Sequence, residues 1–135
     1  MVNKVLERYD NINKSWAPAV ERCYQRGNGF VFDCVGLVKS VCWGFVGDRT
    51  LTYGGAQYAN NGIADFNTSS AVYNNSYVAD KSSDFSDISK LHIGEAVFLP
   101  GHIGIFVGIQ NGQGYVIEAT PGFNPDKGVV KTKIF

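Results

Sequence analysis

The sequence has no excess of charge of either sign and no long apolar run. Among its 135 residues, 12 lysines and arginines balance 12 acidic residues, so the formal net charge is zero. A nucleic-acid partner is therefore not expected, because proteins of that class carry a basic patch or stripe. No stretch approaches the roughly 18 consecutive apolar residues that a membrane-spanning helix needs. We expect no membrane insertion either.

Cysteine is also scarce, and only three are present. An odd number, in a chain whose N-terminus lacks the apolar core of a secretory signal, argues against a disulfide framework. No two cysteines have the C-x-x-C spacing, and the two histidines, His92 and His102, are not spaced as a ligand pair. We therefore expect no metal and no cofactor, and synthesis in a cytosol.

The sequence does contain enough apolar residues for one packed core. Its hydrophobic fraction is 44%, and its length suits a single domain over residues 1–135. Apolar residues recur at helical spacing over residues 2–26 and from Cys34 to Phe45. Residues 27–29 are expected to stop the first helical segment, and Gly44 and Gly47 to end the second. The last third alternates as β-strands do, at residues 95–100, 102–109, 115–120 and 129–134. Helices followed by an antiparallel sheet predict an α+β fold.

A long polar segment separates these two halves. Residues 48–90 are rich in Asn, Ser, Gly, Asp and Tyr and have few apolar runs, which is loop composition. Loops of this length in small domains are usually functional. We expect this segment to pack over one side of a cleft and to help select the substrate.

The first candidate for chemistry is Cys34, which begins the second helical segment. The partial positive charge at a helix N-terminus stabilises a thiolate, which is the nucleophilic form of cysteine. Gly36 leaves space for close packing, or for a substrate, beside the helix start. The alternative is a buried structural cysteine, which is the interpretation we favour for Cys42.

A histidine and a glutamate follow on the predicted strands. His102 opens an alternating strand between glycines, where it could act as the general base of a thiol nucleophile. Glu118 lies among Val, Ile and Ala on the next strand, where a carboxylate could orient the imidazole and stabilise its charged form. The alternatives are a strand-edge histidine with ordinary polar contacts and a solvent-facing glutamate. His92, outside any such block, is predicted to lie at the surface.

The role of Glu118 depends on the register of the hairpin. A two- or four-residue loop centred between Asn111 and Gly112 pairs Glu118 with Ile105, which turns Glu118 away from His102. A three- or five-residue loop, or a bulge, pairs Glu118 with Gly104 instead. Glu118 is then diagonal to His102 across the two strands, about 7–8 Å away and within side-chain reach. An orienting Glu118 therefore predicts an odd loop or a bulge.

Two blocks of the chain resemble the signature blocks of NlpC-type and related CHAP-type cell-wall cysteine hydrolases. They are Asp33-Cys34-x-Gly36-Leu37-Val38 and Gly101-His102-Ile103-Gly104-Ile105. The order of Cys block, His block and then a polar residue before Ala also matches. Residues 53–56 and 116–121 are further similar to catalytic domains of endolysins from bacteriophages and prophages of Gram-positive hosts. The resemblance extends from about residue 20 to residue 130.

The resemblance implies a papain-like fold, with the catalytic cysteine at a helix start packed on a sheet that carries the other two residues. It implies hydrolysis of an amide bond in the peptidoglycan stem peptide, by an endopeptidase or an N-acetylmuramoyl-L-alanine amidase, in phage-type lysis of bacteria. The protein would act on the cell wall after release. Val35 stands where a small Ser is usual, and Glu118 where NlpC-type members often carry His. Glu is closer to the CHAP pattern, so the bond that is cut stays open.

Two further residues are candidates for oxyanion or substrate contacts. Tyr24 could donate a hydrogen bond to an oxyanion beside the Cys34 amide, or it is a helix-face aromatic. Asp33 could orient the loop at the site, although helix capping is the favoured interpretation. The same Cys–His pair also suits an acyltransferase, and the same fold suits a non-catalytic wall-binding domain.

Overall fold

The computed structural model describes residues 25, 27, 29–67, 69–74, 87–120 and 128–134. Within them lie two α-helices, three short 3₁₀ turns and four β-strands, so the α+β prediction is confirmed. The helices are α1 (Cys34–Cys42) and α2 (Ser69–Asn74); the strands are β1 (Ala96–Leu99), β2 (His102–Gln110), β3 (Gln113–Ala119) and β4 (Val129–Ile134). Except for Gln25, the helical pattern predicted for residues 2–26 lies outside the described residues.

The four strands form one antiparallel sheet in the order β1-β2-β3-β4. Each strand pairs with the next one along the chain, as short connections favour. The prediction for β4 is confirmed at both ends, and those for the other strands are confirmed within two residues. The sheet therefore brings the first residue of β2 and the end of β3 to the same end of the sheet, where the candidate residues lie.

Helix α1 begins and ends for identifiable reasons. Asp33 is the N-cap residue, and its carboxylate accepts a hydrogen bond from the Gly36 N–H. At the other end the Gly44 and Phe45 N–H groups donate to the Val41 and Ser40 carbonyls, a Schellman arrangement with Gly44 at φ +89°. The helical spacing continues to Phe45, but the last helical residue is Cys42, and the prediction that Gly44 helps to end the helix is confirmed.

Apolar side chains pack on both faces of the sheet. On one face, which we call the helix face, Ile103 packs with Val35 and Val38 of α1 and with Val72 of α2. The opposite face carries a second cluster of buried residues, namely Val97, Phe106, Val116 and Ile134. Within the part of the chain that the structure describes, Ile103 and Phe106 are the most deeply buried large side chains. Strand β2 thus supplies the centre of both clusters, which fixes its position against α1.

The described part of the long polar segment docks on the C-terminal half of α1. The Trp43 indole N–H donates to the Ile63 carbonyl at 2.9 Å, and Asn61 donates to the Cys42 carbonyl at 2.8 Å. Lys39 binds Asp65, and this hydrogen bond lowers the pKa of the Asp65 carboxyl. These contacts anchor residues 61–65 to the helix. The prediction of a cleft wall is not tested for residues 75–86, which lie outside the described residues.

Gly54 is required by close packing as well as by backbone conformation. It has φ +65°, its carbonyl accepts the Val46 and Gly47 N–H groups, and a Cβ there would lie 2.4 Å from Phe45 Cε2. The Phe45 ring cannot move away freely, because it makes edge contacts with Phe30 and Phe32 at centroid distances of 4.9 and 5.1 Å.

We therefore expect Gly54→Ala to lower the free energy of unfolding by about 2–4 kcal/mol, combining positive-φ strain with overpacking. Urea denaturation measures this loss. Gly62→Ala is the matched control, because Gly62 has φ +71° but open space around its Cα. It should show the strain alone, about 1 kcal/mol. Equal losses in the two variants would contradict the packing argument.

Candidate active site

Cys34 is the first residue of α1 and is half-buried. Its side chain packs against the cluster that contains Val35, Val38 and Ile103. The thiol lies at the positively polarised end of the helix dipole. The thiol is therefore placed where a cysteine can become a nucleophile.

Asp33 and Gly36 shape the backbone on either side of Cys34. Asp33 has extended backbone geometry, with φ −84° and ψ 175°, and its capping role is confirmed. A Cβ at Gly36 would lie 2.7 Å from Asp33 Oδ1, so only glycine allows the carboxylate to approach the helix start this closely. The Asp33 carboxylate is thus occupied by the helix, which accounts for it without a substrate contact.

The hairpin between β2 and β3 satisfies the register that an orienting Glu118 needs. Its turn has two residues, Asn111 and Gly112, with φ 54° and 76°, as in a type I′ turn. That turn alone would pair Glu118 with Ile105. A bulge between Phe106 and Gly108 shifts the register, and Glu118 pairs with Gly104. The bulge alternative of the prediction is confirmed.

Glu118 and His102 meet on the face opposite the helix face. His102 Nε2 is hydrogen-bonded to Glu118 Oε2, and the two side chains are 28% and 12% exposed. Gly104 leaves the room for this contact, because a Cβ there would lie 3.3 Å from the Glu118 Cβ and 3.1 Å from the Ile117 carbonyl oxygen. The alternative of a solvent-facing glutamate is therefore wrong.

A third residue, which the sequence did not indicate, completes this group. The Thr132 hydroxyl of β4 donates a hydrogen bond to Glu118 Oε1, the oxygen that His102 does not use. Thr132 pairs with Val116 in the β3–β4 register and is therefore diagonal to Glu118 on the same face. The alternation of side chains along β4 can be seen in the sequence. The residue that Thr132 contacts, however, depends on the β3–β4 register.

The hydrogen bond to Glu118 assigns different roles to the two ring nitrogens of His102. A carboxylate accepts, so Nε2 carries the proton and donates it. Nδ1 is then the unprotonated nitrogen of the neutral ring, and no described residue is hydrogen-bonded to it. This tautomer is the one that a general base needs, with Nδ1 available to take a proton from a nucleophile.

The described geometry does not bring Cys34 into hydrogen-bond contact with His102. Alternation along β2 places Ile103 on the helix face and His102 on the opposite face. Cys34 packs against the cluster that contains Ile103, one residue from His102. Of the predicted residues, the structure thus joins His102 with Glu118 on one face of the sheet and packs Cys34 against the cluster on the other face.

Glu118 and Thr132 also line an open pocket of about 140 Å³. Most of its other walls are aliphatic, and the remaining lining residues are Val97, Leu99, Val116, Lys133 and Ile134. The hydrogen-bonded carboxylate therefore borders an apolar surface. In such surroundings hydrogen bonds are stronger than in water, and unpaired polar atoms are more costly.

Of the two remaining candidate residues, the structure describes His92 but not Tyr24. His92 is 85% exposed and its Nδ1 lies 2.9 Å from Glu95 Oε1, so its prediction as a surface residue is confirmed. Tyr24, the oxyanion candidate, lies outside the described residues.

Among the described residues, no group of three His, Cys, Asp or Glu side chains could hold a metal ion. No helix in the same residues is long and apolar enough to cross a membrane.

Cys42 provides a reference for the reactivity of Cys34. Burial raises the pKa of the Cys42 thiol, and a backbone hydrogen bond offsets part of this effect. We expect iodoacetamide near neutral pH to alkylate Cys34 about tenfold faster or more, because the thiolate is the reacting form. Peptide mapping by mass spectrometry over time measures both rates. Faster labelling of Cys42 would contradict the assignment of Cys34 as the reactive thiol.

Comparisons of the chain with family models, with curated proteins and with solved structures gave no match. The chemistry of the site and the two sequence blocks that carry Cys34 and His102 are therefore the features that indicate a function.

Proposed function

We propose that this chain is a papain-like cysteine hydrolase that cleaves an amide bond in the stem peptide of bacterial peptidoglycan. Cys34 is the nucleophile, His102 the general base and Glu118 the residue that orients the base. The observation that carries the proposal is the hydrogen bond between Glu118 and His102 Nε2, which leaves Nδ1 free to act as a base. The position of Cys34 at the start of α1 supports its role.

In the first half of the reaction, the Cys34 sulfur attacks the amide carbonyl carbon and its proton passes to His102 Nδ1. The Cys34 backbone N–H at the helix start, with the Tyr24 hydroxyl, would stabilise the oxyanion. His102 then protonates the leaving amine, the C–N bond breaks and a thioester remains. Water, deprotonated by His102, hydrolyses the thioester to a carboxylate and restores the thiol.

This mechanism requires Cys34 Sγ to reach His102 Nδ1 at the beginning of β2. Cys34 packs with the helix-face cluster and His102 lies on the other face of β2, so the mechanism predicts a rearrangement at the beginning of β2 that forms this contact when the substrate binds. A disulfide trap tests the distance directly. In a His102→Cys variant with a stem-peptide fragment present, oxidation should link positions 34 and 102. A disulfide forms only when the two Cα atoms come within about 7 Å, so failure to link them would contradict the pairing of Cys34 with His102.

The substrate class is supported by the resemblance of the Cys and His blocks to NlpC-type and CHAP-type wall hydrolases. Glu118 is closer to the CHAP pattern, and phage-type lysis is the setting that the blocks at residues 53–56 and 116–121 favour. Either an endopeptidase or an N-acetylmuramoyl-L-alanine amidase would use the same three residues. Both reactions release an amino group, whereas cleavage of the glycan would release a reducing end.

Digestion of purified peptidoglycan tests the proposal. We expect new amino groups, no new reducing ends, and fragments whose masses identify the bond. Transfer of a fragment to an added acceptor amine would indicate an acyltransferase instead. Sedimentation of the protein with the walls and no released product would indicate a binding domain. Absence of new amino groups from walls of several chemotypes would refute the hydrolase.

A further inference from the structure

We propose that Thr132 is a positioning residue of this site, which acts on His102 through Glu118. The inference rests on the proposed function, in which Glu118 orients the base. Thr132 contacts neither His102 nor the position of the reacting sulfur, so its effect must pass through the carboxylate. Each oxygen of that carboxylate has its own partner, with Oε2 bound to His102 and Oε1 to Thr132.

The two hydrogen bonds together fix the plane of the carboxylate. The terminal torsion of a glutamate is broad and roughly two-fold, so one hydrogen bond alone leaves the group free to rock or to exchange its oxygens. A second donor, on the neighbouring strand, removes that freedom. Because Thr132 is held by the β3–β4 register, its hydroxyl is a fixed reference for Glu118.

The surroundings increase the importance of this second donor. Glu118 is only 12% exposed and borders a mostly aliphatic pocket, so few protein donors other than the Thr132 hydroxyl lie near its second oxygen. A carboxylate oxygen without a donor there would favour a rotation that satisfies it elsewhere. The His102 ring would then lose its fixed partner, and both tautomers would be populated.

The two histidines of this chain allow a direct spectroscopic test. In ¹⁵N spectra of the histidine rings above the titration range, we expect wild-type His102 to carry its proton on Nε2. Thr132→Val removes the hydroxyl and keeps a similar shape, and it should shift His102 to a mixture of tautomers. Thr132→Ser keeps the hydroxyl and should restore the wild-type pattern. His92, whose Nδ1 contacts Glu95, is an internal reference that should not change.

The same variants separate positioning from packing in the wall-digestion assay. Thr132→Val should lower kcat by about tenfold with little change in KM, since the substrate is not touched, and Thr132→Ser should recover most of it. Val130→Ala is the matched packing control, because Val130 pairs directly with Glu118 and has an apolar side chain. That variant should leave the His102 tautomer unchanged. If Thr132→Val folds poorly, Thr132→Ala carries the same expectations.

Wild-type tautomer and kcat in both Thr132→Val and Thr132→Ala would overturn the inference. An equal tautomer change in Val130→Ala would also overturn it, since any perturbation of β4 would then suffice. If the wild-type protein cleaves no walls but Thr132→Val still changes the His102 spectrum, the positioning inference holds and the proposed function fails. If walls are cleaved and the spectrum does not change, only the positioning inference fails.

Discussion

Replacement of Cys34 by alanine is expected to reduce the release of amino groups from peptidoglycan by at least about 10⁴-fold, to the level of the assay background. In covalent catalysis, loss of the nucleophile removes the thioester path altogether, and the residual rate derives only from binding and oxyanion contacts. The change should leave the fold intact, because the helix cap is formed by Asp33 and Gly36 and not by the Cys34 side chain.

Cys42→Ala is the matched control for this experiment. Cys42 is the last residue of the same helix, it is also half-buried, and it packs against the same cluster. Its replacement should cost some stability but leave the turnover of wall peptides within about twofold of wild type. Thermal unfolding of both variants checks that lost activity is not lost structure. Near wild-type turnover in Cys34→Ala would exclude Cys34 as the nucleophile and with it the proposed mechanism.

The local features of this site were predictable because they depend on short stretches of chain. Asp33 before an apolar helical pattern indicates a cap, and the position of Cys34 follows from it. For the hairpin, strand parity predicts an odd loop or a bulge if Glu118 orients His102, and the two-residue turn of the structure leaves the bulge. In both cases the relevant residues are close in sequence, and alternation or capping decides the geometry.

Features that depend on packing between distant segments were not predictable in the same way. The contact of Thr132 with Glu118 requires the β3–β4 register, which periodicity within β4 does not determine. Strand alternation alone does not determine which face of the sheet packs against α1, because either Ile103 or His102 could point toward the helix. In the structure Ile103 is buried against α1, so His102 lies on the other face.

Glu118→Gln is expected to lower kcat for wall hydrolysis by about 10²-fold to 10⁴-fold while leaving the fold intact. The amide keeps the shape of the side chain and its hydrogen bonding to Thr132. It loses the negative charge that stabilises the imidazolium of His102 during proton transfer. If its NH₂ group faces His102, the ring must accept at Nε2 and carry its proton on Nδ1, so it can no longer take one from Cys34 there. Steady-state turnover of a defined stem-peptide fragment measures the loss.

The chain offers a close control in its other histidine–carboxylate pair. Glu95 binds His92 through Nδ1 at 2.9 Å on an exposed loop, and hydrogen bonds from the His92 backbone and ring lower the pKa of the Glu95 carboxyl. Glu95→Gln makes the same chemical change away from the proposed site and should leave turnover unchanged. Equal losses in both variants would indicate a general electrostatic effect. Unchanged turnover in Glu118→Gln, with His102→Ala inactive, would show that the charge of Glu118 is not needed, and its contacts with His102 and Thr132 would then serve the fold alone.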